Sequence, residues 1–193
     1  MTLELPPPLV ARLAELPKGL AEHVVRVRAI GRELADAHGI DADLAELTAA
    51  AHDVARHLPP SRLLEEAERL GLPVNSVERR APVLLHGPVG AAWLRSDDGL
   101  TDPEVLDGVR WHTTAHPDLA PVGQVVMLAD KLDPAKAKTY PFQAEVRQAA
   151  FASLSDGLLA FLDGALRQHL ERGELIHPMA TDARNALVLA MSC

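Results

Sequence analysis

The chain holds one cysteine, Cys193, its last residue. That removes disulfide frameworks and cysteine-based zinc clusters, and a reducing cytoplasm is the expected compartment. Aromatic residues make up only 3%, so the core must come mainly from Leu, Val and Ala, which suits packed helices. Basic residues are outnumbered, 19 Lys and Arg against 27 Asp and Glu, for a net charge of −8. A nucleic-acid surface needs a basic footprint and is excluded on that ground. A small anionic substrate is not, because a bound metal can reverse the local sign. No segment reaches the roughly 18 consecutive apolar residues of a membrane span, and MTLELPPPLV has neither a basic start nor an apolar run, so no membrane segment or export signal is expected.

What is present is helical patterning. The 193 residues are 48% hydrophobic, enough for one substantial core. Pro6-Pro7-Pro8 suits an extended arm over residues 1–8, with a short helix from Leu9 to Leu16. Leu20, Val24, Val27, Ile30 and Leu34 form the stripe of a helix from about Leu20 to Ala37, stopped by His38-Gly39. Asp41 caps a second helix that carries an alanine run into His52-Asp53. Further helices are expected at Ser61 to Leu70, Val77 to Leu85, Val89 to Arg95, and from Asp102-Pro103 to His112. Gln124 to Leu132 is apolar almost all round, as in a buried helix. A polar loop should follow from Lys131 to Phe142, then one long helix from about Ala144 to Glu171, and a last helix from Thr181. With no sustained period-2 alternation, the fold class is all-α, a compact bundle of about eight to ten helices. The expected layout is one domain, 1–193, with a metal-binding part at about 18–140 and helices 144–193 packed on it. Apolar helix faces leave room for a homodimer.

Chemistry-bearing residues interrupt these apolar segments. His52-Asp53 ends the alanine-rich helix, and a buried carboxylate needs a cation or strong hydrogen bonds. His23, His86, His112 and Asp130 occur in the same manner on four other segments. Imidazole and carboxylate ligands without thiolate suit Mn, Fe(II), Co or Ni, and less specifically Zn or Mg. A central carboxylate can bridge two ions that activate water and clamp phosphoryl oxygens. Arg56, one turn after Asp53, is placed to bind phosphate or to stabilise charge in a transition state.

These residues carry a resemblance. The order His23, His52-Asp53, His86, His112, Asp130 resembles the HD superfamily of metal-dependent phosphohydrolases. Within it the chain resembles the bacterial YqeK family of symmetrical bis(5′-nucleosyl)-tetraphosphatases. The matches are His23-Val-Val-Arg26, Ala51-His-Asp-Val-Ala-Arg56, Leu85-His-Gly-Pro-Val-Gly-Ala91, His112-Thr-Thr114, Leu128-Ala-Asp130, and Gly173-Glu-Leu-Ile-His-Pro178 followed by Ala183-Arg-Asn185. The resemblance implies an all-α HD fold with one or two divalent ions of iron type, Mn or Co being substitutes. It implies hydrolysis of diadenosine tetraphosphate to two ADP through a metal-held hydroxide. His23, His52, Asp53 and Asp130 would bind one ion and His86 and His112 the other, with Asp53 bridging. Asp53 and Arg56 would be catalytic. Arg26, Arg56, Gly87, Thr113, His116 and Lys131 would face the nucleotide. The chain departs from the family at Ala115-His116, where relatives carry Gly-Arg, and at Leu132-Asp-Pro-Ala-Lys136, where they carry a Glu-Pro-Asn-Arg-like stretch. Lys131, Lys136 and Lys138 are possible replacements for the arginines, as point charges rather than forks. The alternatives are an HD phosphohydrolase of mononucleotides or other nucleotides, and a metal- or nucleotide-binding module without catalysis.

Overall fold

The computed structural model describes residues 3–191; Cys193 and the first residues of the expected arm lie outside the described residues. Eleven α-helices follow in order: α1 (Pro7–Ala14), α2 (Lys18–His38), α3 (Ala42–Ala51), α4 (Pro60–Arg69), α5 (Ser76–Arg80), α6 (His86–Ser96), α7 (Pro103–Trp111), α8 (Pro121–Lys131), α9 (Gln143–Ala152), α10 (Leu154–Arg172) and α11 (Pro178–Met191). Two 3-10 turns, Pro82–Leu85 and Pro134–Lys136, precede α6 and follow α8. No strand occurs among the described residues.

Local signals set the boundaries that matter. Gly39 ends α2 in the left-handed region, φ 65°, and the Ile40 amide donates to the Ala35 carbonyl at 2.9 Å, closing the helix as glycine C-caps do. Asp41 then accepts from the Asp43 and Leu44 amides. Asp102 does the same for Glu104 and Val105 at the start of α7.

Several expectations need correction. The prolines at 7 and 8 begin α1 rather than ending an arm, since a first helical turn tolerates proline. Val77 to Leu85 is not one helix: Ala81 sits before Pro82 at φ −128°, and the residue before proline avoids the helical region. The long helix over 144–171 is two helices broken at Ser153, whose backbone is extended. Its hydroxyl caps α10 by accepting from Asp156.

Helix α8 is the axis of the bundle. Val125, Val126, Met127, Leu128 and Ala129 are all fully buried, as an all-round apolar helix requires. Helices α2, α3, α7 and α10 pack around it. Gly31 of α2 lies against Ala49 of α3 and Ala129 of α8. At the α7–α8 crossing Gly108 meets Gly123, and a Cβ at Gly108 would sit 2.7 Å from Thr48 of α3. These small contacts let α2, α3, α7 and α8 approach closely, so that His23, His52, His112 and Asp130 meet.

Candidate metal centre

The C-terminal ends of α3 and α7 each present a histidine. The His52 Nδ1–H donates to the Ala49 carbonyl at 2.7 Å, and the His112 Nδ1–H donates to Val109 at 2.7 Å. His86, at the start of α6, donates in the same way to Val83 at 2.5 Å. A carbonyl only accepts, so each bond fixes the proton on Nδ1 and turns a bare Nε2 lone pair toward the same interior point. His23 differs in means and not in result: its Nδ1 lies 2.5 Å from the Asp133 carboxylate, leaving Nε2 inward.

Two carboxylates face these nitrogens. Asp53 Oδ2 lies 3.4 Å from His52 Nε2 and 3.7 Å from His23 Nε2. Its other oxygen lies 3.1 Å from His86 Nε2 and 3.6 Å from His112 Nε2. Asp53 thus spans two histidine pairs with its two oxygens. Asp130 Oδ1 faces the first pair, 3.0 Å from His23 and 3.7 Å from His52. All six side chains are less than a tenth exposed.

The electrostatics demand positive charge. Burial pushes Asp53 up; only imidazolium forms of the neighbouring histidines would hold it well below the carboxylate range, and among the described residues its ion-pair partners are histidines, with no Lys or Arg. Burial also pushes Asp130 up, and Lys131 and Lys136 more than offset it. Lys131 Nζ lies 2.6 Å from Asp130, and the Lys136 ammonium bonds its other oxygen. Burial lowers His112 to about 4, so it is neutral at pH 7. Its Nε2 nevertheless sits 2.9 Å from His86 Nε2, two lone pairs directed at one another. The Nε2 atoms of His23 and His52 are buried with no hydrogen-bond partner. A buried unpaired acceptor costs roughly 1–3 kcal/mol. Divalent cations are the groups this donor set fits, and two ligand clusters exist: His23, His52 and Asp130, and His52, Asp53 and His112.

The family profile described as "HD domain" matches residues 20–135, the span holding all six ligand-type residues. The chain belongs to the HD domain family. It is an HD-type hydrolase, and the family implies divalent metal binding. Its similar proteins include a symmetrical bis(5′-nucleosyl)-tetraphosphatase from Bacillus subtilis, 29% identical over 81% of this chain and 82% of the relative. Another of the same name, from Halalkalibacterium halodurans, is 28% identical over 87% of this chain and 88% of the relative. A solved structure of a predicted HD superfamily hydrolase from Clostridium acetobutylicum superposes with a TM-score of 0.89 at 24% identity, covering 98% of this chain and 100% of that one. That likeness concerns the fold.

A cleft opens on the HD centre, and a second cavity adjoins residues that touch it. The cleft, of about 490 Å³, reaches His23 and Asp53, and Arg26, Arg56, His57 and Lys136 line it. The second cavity, of about 630 Å³, reaches Thr113 and Lys131, and none of the six ligand-type residues lines it. The Thr113 hydroxyl lies 3.2 and 3.0 Å from the Nε2 atoms of His86 and His112.

The other expected contacts lie elsewhere. Gly87 is buried, and a Cβ there would stand 2.7 Å from the Arg110 carbonyl. It seats α6 on α7 and lines neither cavity. His116 packs on Trp111, ring centroids 4.8 Å apart, and accepts from the Asp118 amide; it too lines neither.

Sequence reasoning missed Asp133. This buried carboxylate takes the His23 Nδ1–H, binds Arg26 Nε at 2.7 Å and Nη2 at 3.0 Å, and caps the turn Pro134–Lys136 through the Ala135 amide. Burial pushes it up, but Arg26, His23 and the Ala135 amide hold it at about 2. One acid therefore orients a ligand-type histidine, a cleft arginine and the turn carrying Lys136. The signal was an acid capping a turn before proline, three residues after Asp130. Arg80, Tyr140 and Phe161, in the wall of the larger cavity, were also unforeseen.

Proposed function

We propose that this HD-domain protein hydrolyses diadenosine tetraphosphate at its central anhydride to two ADP, with iron or another divalent transition ion at the His/Asp centre. The observation that carries the reading is Asp53, each oxygen of which faces one pair of histidines. His23, His52, Asp53 and Asp130 would hold one ion, and His86 and His112 with Asp53 the second. Divalent ions held there would polarise phosphoryl oxygens and lower the pKa of water to a range where it is a nucleophile at neutral pH. The chain's own groups position and neutralise. Asp133 fixes the His23 tautomer and the Arg26 fork. Arg26, Arg56 and Lys136 attract the phosphates from the cleft, and Lys131 and Arg80 from the cavity. Water adds across the P–O–P bond: one phosphorus gains the hydroxyl, and the released oxygen leaves as ADP with the proton. The names of the two relatives support a symmetrical cut.

A mononucleotide substrate is the second reading. Its support is His116, where the family resemblance leads one to expect an arginine; it packs on Trp111 instead of lining a cavity. Products from diadenosine tetraphosphate, after loading with Fe(II), Mn or Co, separate the two. ADP alone supports the first reading. Turnover confined to mononucleotides supports the second, and no turnover of any nucleotide contradicts both. A cytoplasmic location and a homodimer are part of the same proposal; no helix among the described residues is long and apolar enough to cross a membrane.

A further inference from the structure

The substrate proposed above has two identical halves, and the site that would receive it does not. The larger cavity is built for a nucleoside. Aliphatic walls from Leu84, Leu162, Leu166 and Ile176 surround an aromatic corner of Tyr140 and Phe161, whose rings meet edge to face at 5.3 Å. Volume and lining fall within the usual range for small-molecule pockets, about 300–1,000 Å³ and mostly apolar with a few polar groups. Of its polar groups, Thr113 and Lys131 stand beside the histidines and Asp130, while Arg80, His169, Glu174 and His177 lie elsewhere in the lining. Its wall is fastened: buried His177, just before α11, has Nε2 3.0 Å from Asn75 Nδ2 and 3.3 Å from Glu78 of α5, and its Nδ1 accepts from the Met179 amide.

The cleft at His23 and Asp53 is of another kind. It is lined by Arg26, Arg56, His57 and Lys136 and by no Trp, Tyr or Phe. Arg56 and His57 are exposed. Cations at an open edge suit phosphate oxygens, whereas a base needs a flat apolar face.

We infer that the enzyme recognises one nucleoside of its substrate, in the cavity behind Thr113 and Lys131, and reads the other half only as phosphate. This rests on the reading of the protein as a tetraphosphate hydrolase. A chain of four phosphates bearing a single nucleoside should therefore serve as substrate, water splitting the same central anhydride to give ADP and pyrophosphate.

The test uses the metal-loaded wild-type protein with diadenosine tetraphosphate and with adenosine 5′-tetraphosphate. Both should yield ADP, with kcat/KM values within about tenfold of each other. A loss beyond about 100-fold for the compound with one nucleoside, while the dinucleotide is still cleaved, overturns the inference and leaves the proposed function standing. No ADP from either compound overturns both. Filling the cavity with Ala165→Phe should raise KM for both compounds by about tenfold or more while kcat stays within about threefold. Unchanged KM values in that folded variant would remove the nucleoside from this cavity.

Discussion

Four imidazoles face one another with the same nitrogen, each held by an acceptor behind it. Three of those acceptors are carbonyls three residues back in the chain, so helix geometry alone aims His52, His86 and His112. His23 sits within α2, where its own backbone supplies no such acceptor, and it depends on Asp133. Outer carboxylates of this kind typically govern metal affinity by 10–100-fold. Asp133→Asn, which keeps the shape and removes the charge, should weaken metal binding by about that factor, read by competition against a chelator with no substrate present. Unchanged affinity would reduce Asp133 to an anchor for Arg26. The six ligand-type residues were legible because each interrupts an apolar segment, where a polar side chain requires a reason. Asp133 was not, since it lies in a polar loop where an acid is unremarkable, and its partner is 110 positions away.

Between elements, ion pairs and close backbone contacts hold the helices that carry the site. Glu46 of α3 is buried and accepts from Arg28 Nη2 at 2.5 Å and Arg32 Nε at 2.7 Å, both on α2. Burial pushes its carboxyl up, but the two guanidinium groups leave it below the ordinary value of 4.5. A depressed folded pKa adds stability that is complete above the unfolded value and fades as pH falls through the folded one. Glu46→Gln should then cost about 1–3 kcal/mol at pH 7, with the difference from wild type shrinking below pH 4.5. Denaturant midpoints across that range check it; a constant difference would assign the cost to packing.

Helices α9 and α10 touch at Gly157, where a Cβ would come 2.5 Å from the Ala150 Cα. Gly157→Ala should destabilise by about 1–3 kcal/mol from overpacking, even though alanine is the better helix former by about 1 kcal/mol. Thermal unfolding measures it, and a stabilised variant would contradict the close contact. The same region shows where element reading failed. Apolar periodicity runs on through residue 153 because both helices bury a face on the same core, so the pattern conceals the break. The cues were local: Ser153 with Asp156 three residues later, and a glycine next to it. Elsewhere caps at Gly39, Asp41 and Asp102 made boundaries readable.

At the scale of the molecule, a chain of net charge −8 gathers Arg26, Arg56 and Lys136 in the cleft and Lys131 and Arg80 in the larger cavity. That sorting was hidden from the sequence. The cavity walls come from α5, α8, α10, α11 and their connections, and no local pattern tells which faces of distant helices leave a space between them. The all-α class was readable, because helical periods and buried α8 dominate the chain. The central claim is a symmetrical cut at the Asp53 centre. Its most direct test is hydrolysis of diadenosine tetraphosphate by the metal-loaded protein in ¹⁸O-labelled water, with products separated and weighed by mass spectrometry. The account predicts ADP as the only nucleotide, one of each two molecules carrying a single label, and no product from Asp53→Ala. Labelled ATP or AMP, or turnover that survives in that variant, would contradict it.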